Sequence, residues 1–91
     1  MASELARRYV VHGRVQGVGF RYFVERAAAG LKCRGYVRNR ADGTVEVYVM
    51  GSLSKLKQLG EKLRQRPSLA RVDRVEELAA VLEPMAGFQV R

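Results

Sequence analysis

Gly17, Gly19 and Arg21, each two residues apart, close the stretch Gly13-Arg14-Val15-Gln16-Gly17-Val18-Gly19-Phe20-Arg21, which joins a strand-like run to a helix-like one. Glycine reaches positive φ with little strain, so a loop holding two of them can curl until several backbone N–H groups converge on one small guest. A helix beginning near Phe20 would add its unpaired first-turn N–H groups and the positive end of its dipole. Arg21 would add a planar fork matched to phosphate or carboxylate oxygens. On residue types alone two readings stand level. One is a cradle for a phosphate-sized anion; the other is a tight strand-to-helix turn in which Arg21 points into solvent.

Asn39 is the one asparagine of the chain and stands just before Arg40-Ala41-Asp42-Gly43. Its amide both donates and accepts hydrogen bonds and does not titrate. Taken alone, an asparagine before an Asp-Gly pair reads as turn chemistry. The single cysteine, Cys33, leaves no internal disulfide or thiolate cage, and the single histidine, His12, argues against any other metal site. Neither a metal nor a cofactor is expected.

The elements that must position these residues are legible from periodicity. Arg7 to Gly13, with Tyr9, Val10 and Val11, reads as a strand, and residues 1 to 6 as a frayed end. Phe20, Phe23, Val24, Ala27, Ala28 and Leu31 follow the i, i+3, i+4, i+7, i+8, i+11 spacing of an amphipathic helix. Cys33 to Asn39 and Thr44 to Met50 read as strands joined by the Asp-Gly turn into a hairpin. In the second of them Val45, Val47 and Val49 would face a core, and Glu46, Tyr48 and Met50 could meet water. Leu53, Leu56, Leu59 and Leu63 mark a second helix that ends near Arg66-Pro67, with Ser52 or Ser54 to cap it. Arg71 to Leu78 and the short Gly87 to Arg91 complete the set. The order βαββαβ plus a terminal strand predicts an α+β, ferredoxin-like two-layer sandwich with two helices on one face of an antiparallel sheet.

A chain of 91 residues is expected to form a single domain, residues 1–91. Its longest apolar run, Leu78 to Leu82, is far below the roughly 20 residues of a membrane span, so a cytoplasmic protein that does not enter membranes is expected. Seventeen basic against nine acidic side chains give a net charge of +8, which suits either nucleic acid or a small anionic substrate. The basic residues are spread along the chain, not gathered in a tail. A basic nucleic-acid-binding module, or a small-anion-binding module of the same fold without turnover, is therefore the alternative to an enzyme. Arg34-Gly35-Tyr36-Val37 opens like the RNP1 box of an RNA-binding domain, but Arg38 and Ala41 fill the later aromatic positions, so specific nucleic-acid binding is not expected.

GRVQGVGFR, followed by GYVRNRADGTVE with its Asn39 eighteen residues after Arg21, resembles the acylphosphatase family, enzymes that hydrolyse carboxylic-phosphoric mixed anhydrides. The resemblance extends through Pro67-Ser68-Leu69-Ala70-Arg71-Val72-Asp73-Arg74-Val75 to Phe88-Gln89-Val90-Arg91. It implies a phosphate-binding loop over Val15, Gln16, Gly17, Val18, Gly19 and Phe20, with Arg21 as the phosphate-binding arginine and Asn39 positioning the attacking water. It also implies a small acyl phosphate as substrate, phosphate as product or inhibitor, and direct attack with neither metal nor phosphoenzyme. A monomeric, stand-alone hydrolase is expected in preference to a domain of a larger maturation enzyme. Tyr36 stands where the family often has tryptophan, and Lys32 and Cys33 replace a more usual glycine and leucine. The family does not require His12.

Overall fold

Alternation and helical spacing are realised as seven elements in the computed structural model, which describes residues 3–65 and 69–91. These are β1 (Leu5–Arg14), α1 (Phe20–Gly30), β2 (Arg34–Asn39), β3 (Val45–Gly51), α2 (Leu53–Arg64), β4 (Arg71–Ala80) and β5 (Phe88–Val90). The sheet runs β4-β1-β3-β2-β5. Neighbours pair antiparallel except β2 and β5, which are parallel, so the sheet is mixed and not purely antiparallel. Residues 5 and 6, expected to be frayed, begin β1 instead, with Leu5 opposite Gly51 and Ala6 between Met50 and Ala80. The second helix is described to Arg64, and its expected end at Arg66-Pro67 lies outside the described residues, as does Ser68.

Both helices lie on one face of the sheet. Tyr9, Val11, Val37, Val45, Val47 and Val49 turn toward them and meet Phe20, Val24 and Ala28 of α1 and Leu56, Leu59 and Leu63 of α2. The i, i+4, i+8 spacing of the α1 residues is what lays them on one stripe. Each fully buried leucine, valine or phenylalanine stabilises the fold by about 1.5–3 kcal/mol relative to exposure. Ser52 caps α2 by accepting a hydrogen bond from the Lys55 amide at 3.3 Å. Leu53, placed on the core stripe by its spacing, remains exposed. Gly43 adopts φ +91° in the hairpin turn, and Asp42 Oδ1 accepts from the Thr44 amide and hydroxyl.

The opposite face of β3 does not meet water, contrary to its alternating pattern: every residue of this strand is buried. Its cover comes from segment 81–87, which folds back across it. Tyr48 Oη donates to the Val81 carbonyl, the Glu83 amide points at Met50 Sδ, and Met85 packs on Tyr36, Tyr48 and Met50. On the same face Glu46, only 5% exposed, accepts from Tyr36 Oη at 2.7 Å, from Arg38 at 2.8 and 3.1 Å and from Arg8 at 3.2 Å.

Burial pushes the Glu46 carboxyl up, but the hydrogen bonds from Tyr36 and Arg38 and the charges of Arg38 and Arg8 outweigh it and hold it below its usual range. A depressed carboxylate contributes stability that is complete above the unfolded-state value, about 4.3, and is lost as pH falls through the lower folded-state value. Glu46→Gln is therefore expected to cost about 1–3 kcal/mol at pH 7. Denaturant titrations at pH 7 and near pH 3 check this; the difference from wild type should shrink at the acid end.

Candidate active site

The loop between β1 and α1 is held at both ends by burial and in the middle by a side chain. Val15 and Phe20 are each 1% exposed. Between them Gln16 Nε2 donates to the carbonyls of Arg40 at 2.7 Å and Thr44 at 2.9 Å, which ties the loop to the β2–β3 hairpin. Gly17 and Gly19 sit at φ +72° and +80°, and a Cβ at either would meet open space. The need for glycine there is thus a backbone need, on the order of 1–2 kcal/mol per residue for an L side chain in the left-handed region.

Gly19 is also the N-cap of α1, with no side chain capping the helix and no acidic residue in its first turn. The first intrahelical bond runs from the Phe23 amide to the Gly19 carbonyl at 3.1 Å. The amides of Phe20, Arg21 and Tyr22 precede that bond and carry the positive end of the helix dipole. An anion would supply what the protein does not.

Arg21 is fixed by a residue seventy positions later in the chain. Its Nη1 donates to the main-chain oxygen of Arg91 at 2.8 Å, while the Arg91 amide donates to the Val37 carbonyl at 2.8 Å. The Arg91 guanidinium lies 4.2 Å from the ring centre of Tyr36, a cation–π distance. The residue that follows the parallel strand β5 thereby steadies Arg21, and among the described residues this is the one hydrogen bond its guanidinium makes, which leaves further N–H groups of the fork for a ligand.

Asn39 ends β2 and by alternation shares the helix-facing side with Val37, opposite Val45. Its Oδ1 is buried and has no hydrogen-bond partner, alone in this among the described residues. A buried acceptor left unpaired costs about 1–3 kcal/mol, so the position is expensive unless a guest completes it. Asn39 and Arg21 line one cavity of about 80 Å³ together with Val15, Gly17, Gly19, Phe20 and Tyr22. Five of the seven loop residues expected to bind phosphate thus line it. Gln16 and Val18 do not: the Gln16 amide is spent on the hairpin, and Val18 packs on the core. A larger groove of about 560 Å³ lies along the ends of β1 and β4, but its lining is largely apolar, and its one cation, Arg7, is already paired with Glu77.

His12 lies on β1 beside the bulge at Gly13 and bonds through Nε2 to Glu76, with Arg74 alongside. It does not line the cavity. Among the described residues no cluster of histidine, cysteine and carboxylate side chains could hold a metal ion. Tyr22 and the contact of Arg21 with Arg91 escaped the sequence reading; an exposed aromatic directly after Arg21 was the one available signal for the first, and the second involves a backbone oxygen, which leaves none.

The sequence profile of the Acylphosphatase family matches residues 7–90. Acylphosphatase of Koribacter versatilis is 59% identical over 85 residues, covering 92% of this chain and 77% of that protein. The crystal structure of acylphosphatase from Bacillus subtilis superposes with a TM-score of 0.92 at 36% identity, covering 96% of this chain and 98% of that one. For an acylphosphatase from Coxiella burnetii the TM-score is 0.91 at 35% identity, covering 97% of this chain and 93% of the other.

Proposed function

Because the chain belongs to the acylphosphatase family and is a hydrolase of acyl phosphates, we propose that it acts by direct attack of a water aimed by Asn39 on a phosphoryl group held by the 15–20 loop and Arg21. The observation that carries this reading is the unpartnered, buried Asn39 Oδ1 in the same cavity as Arg21 and the bare N-terminus of α1. Phosphoryl transfer needs positioning and charge stabilisation more than covalent help, and an acyl phosphate already carries a good leaving group.

In the proposed step the loop and helix amides with Arg21 take up charge on the phosphoryl oxygens. Asn39 Oδ1 accepts a hydrogen bond from the water, which sits roughly 3 to 3.5 Å from phosphorus, in line with the acyl oxygen. The new O–P bond forms as the P–O bond to the acyl group breaks, and the carboxylate leaves with the electron pair. Asparagine cannot take the water's proton, so a substrate phosphoryl oxygen receives it. The products are a carboxylate and inorganic phosphate, with neither a phosphoenzyme nor a metal in the route. The substrate is small, and the enzyme works as a cytoplasmic monomer; light scattering at assay concentrations tests the oligomeric state.

Neither an arginine nor an asparagine side chain titrates in the working range of an enzyme. Rate should therefore follow the ionisation of the substrate alone, and His12→Ala should leave kcat within about threefold and the profile unaltered, an effect far below that of general acid–base catalysis. Loss of a limb of the profile near neutrality would make His12 the base. The function itself is tested by phosphate release from benzoyl phosphate and acetyl phosphate in the presence of a chelator, against Asn39→Ala as control. Release no faster than in the control would favour a binding module of the same fold.

A further inference from the structure

A hollow of about 380 Å³ lies between the C-terminal half of α1 and the start of β5 and shares no lining residue with the catalytic cavity. Its volume falls within the roughly 300–1,000 Å³ of small-molecule sites. Ala29, Cys33 and Phe88 give it apolar walls, and Arg26, Lys32 and Arg34 bring three cations against the single carboxylate of Glu25. Arg34 is largely engaged, donating to the Met85 carbonyl at 2.7 Å and pairing with Glu4. Among the described residues Arg26 and Lys32 have no salt-bridge partner. An excess of positive charge beside an apolar surface suits an anion that carries an apolar body.

Lys32 is the one described residue other than glycine with a positive φ, at +57°. It stands just past Leu31, the C-cap of α1, and its amide donates to the Ala29 carbonyl at 3.0 Å. Glycine takes this conformation at a helix end with little strain, and an L side chain does not. The family more usually has glycine here. The chain thus holds a cation on the rim of the hollow at a place where glycine would fit the backbone better, and such strain is kept where a ligand is clamped. We propose that the hollow is a second binding site, for an organic carboxylate with an apolar body the size of one ring. Its carboxylate pairs with Lys32 and Arg26, and its body lies against Phe88 and Ala29. Inorganic phosphate has the charge but no surface to bury against those walls.

The test is benzoate titrated into the ¹⁵N-labelled protein at saturating inorganic phosphate, which the catalytic reading places in the other cavity, with amide shifts followed by NMR. Saturable shifts are expected at the amides of Ala29, Lys32, Gly87 and Phe88. Benzamide, the same shape without the charge, and acetate, the same charge without the ring, should each bind about tenfold more weakly. Lys32→Gly is expected to weaken benzoate about fivefold, to leave kcat/KM for acetyl phosphate unchanged and to raise the melting temperature. Ala29→Glu, which sets a carboxylate on the wall, should weaken benzoate about tenfold. Shifts centred on Gly17 to Tyr22, the absence of saturable shifts, or undiminished affinity in either variant would each overturn the site. Benzamide or acetate binding as tightly as benzoate would overturn the class of ligand.

Discussion

Asn39→Ala is expected to lower kcat by about 10²- to 10³-fold, the scale on which removal of one well-placed polar group acts in enzymes. Inhibition by inorganic phosphate should stay within a few-fold of wild type, because the proposed site holds the anion through the loop, the α1 amides and Arg21. The same substitution should not destabilise the protein and should raise its melting temperature slightly. The Asn39 Oδ1 is buried without a partner, so its removal relieves a desolvation cost of about 1–3 kcal/mol, offset in part by the small cavity left behind. Lost turnover with retained anion binding and undiminished stability is a combination that a merely structural asparagine would not produce. Steady-state kinetics, phosphate inhibition and a thermal melt check it together.

Arg21→Lys is expected to act on both steps. An ammonium presents a point charge where the guanidinium presents a planar fork, and it cannot pair bidentately with a phosphoryl group while one N–H serves the Arg91 oxygen. Phosphate inhibition should weaken by an order of magnitude or more, and kcat/KM should fall by about 10³-fold or more, since the same bidentate contact serves ground and transition states. The contrast between the variants carries the assignment: Asn39→Ala separates turnover from binding, and Arg21→Lys does not. Equal loss of anion binding in both would defeat it.

Most of the architecture that places these residues was legible because it rests on local periodicity. The α1 stripe from Phe20 to Leu31 and the Asp42-Gly43 hairpin are short-range patterns, and the structure forms both where the spacing predicts. What escaped came from contacts distant in the chain. The outer face of β3 reads as solvent-facing by alternation, yet segment 81–87 covers it, and a segment with neither helical nor strand period gives no sign of where it lies. The parallel pairing of β5 with β2 is likewise a matter of tertiary placement, and on it depends the Arg91 oxygen that steadies Arg21.

Within the site the same division holds. Gly17, Gly19 and Arg21 declare an anion loop by type and spacing, although those residues alone do not separate it from a simple turn. The structure brings Asn39, eighteen residues beyond Arg21, to the same cavity, and the Gln16 amide locks loop to hairpin across that gap. In the proposed reaction the loop supplies position and charge, with neither a base nor a nucleophile among its side chains, and the reacting oxygen comes from water.

That last statement is the one most directly open to measurement. Benzoyl phosphate hydrolysed in ¹⁸O-enriched water under single-turnover conditions, with products analysed by mass, reports which atom the water attacked. Attack at phosphorus predicts one ¹⁸O in every phosphate formed and unlabelled benzoate. Label in the benzoate would place the attack at the carbonyl carbon, and the account of Arg21, the loop and Asn39 as a phosphorus-centred site would be wrong.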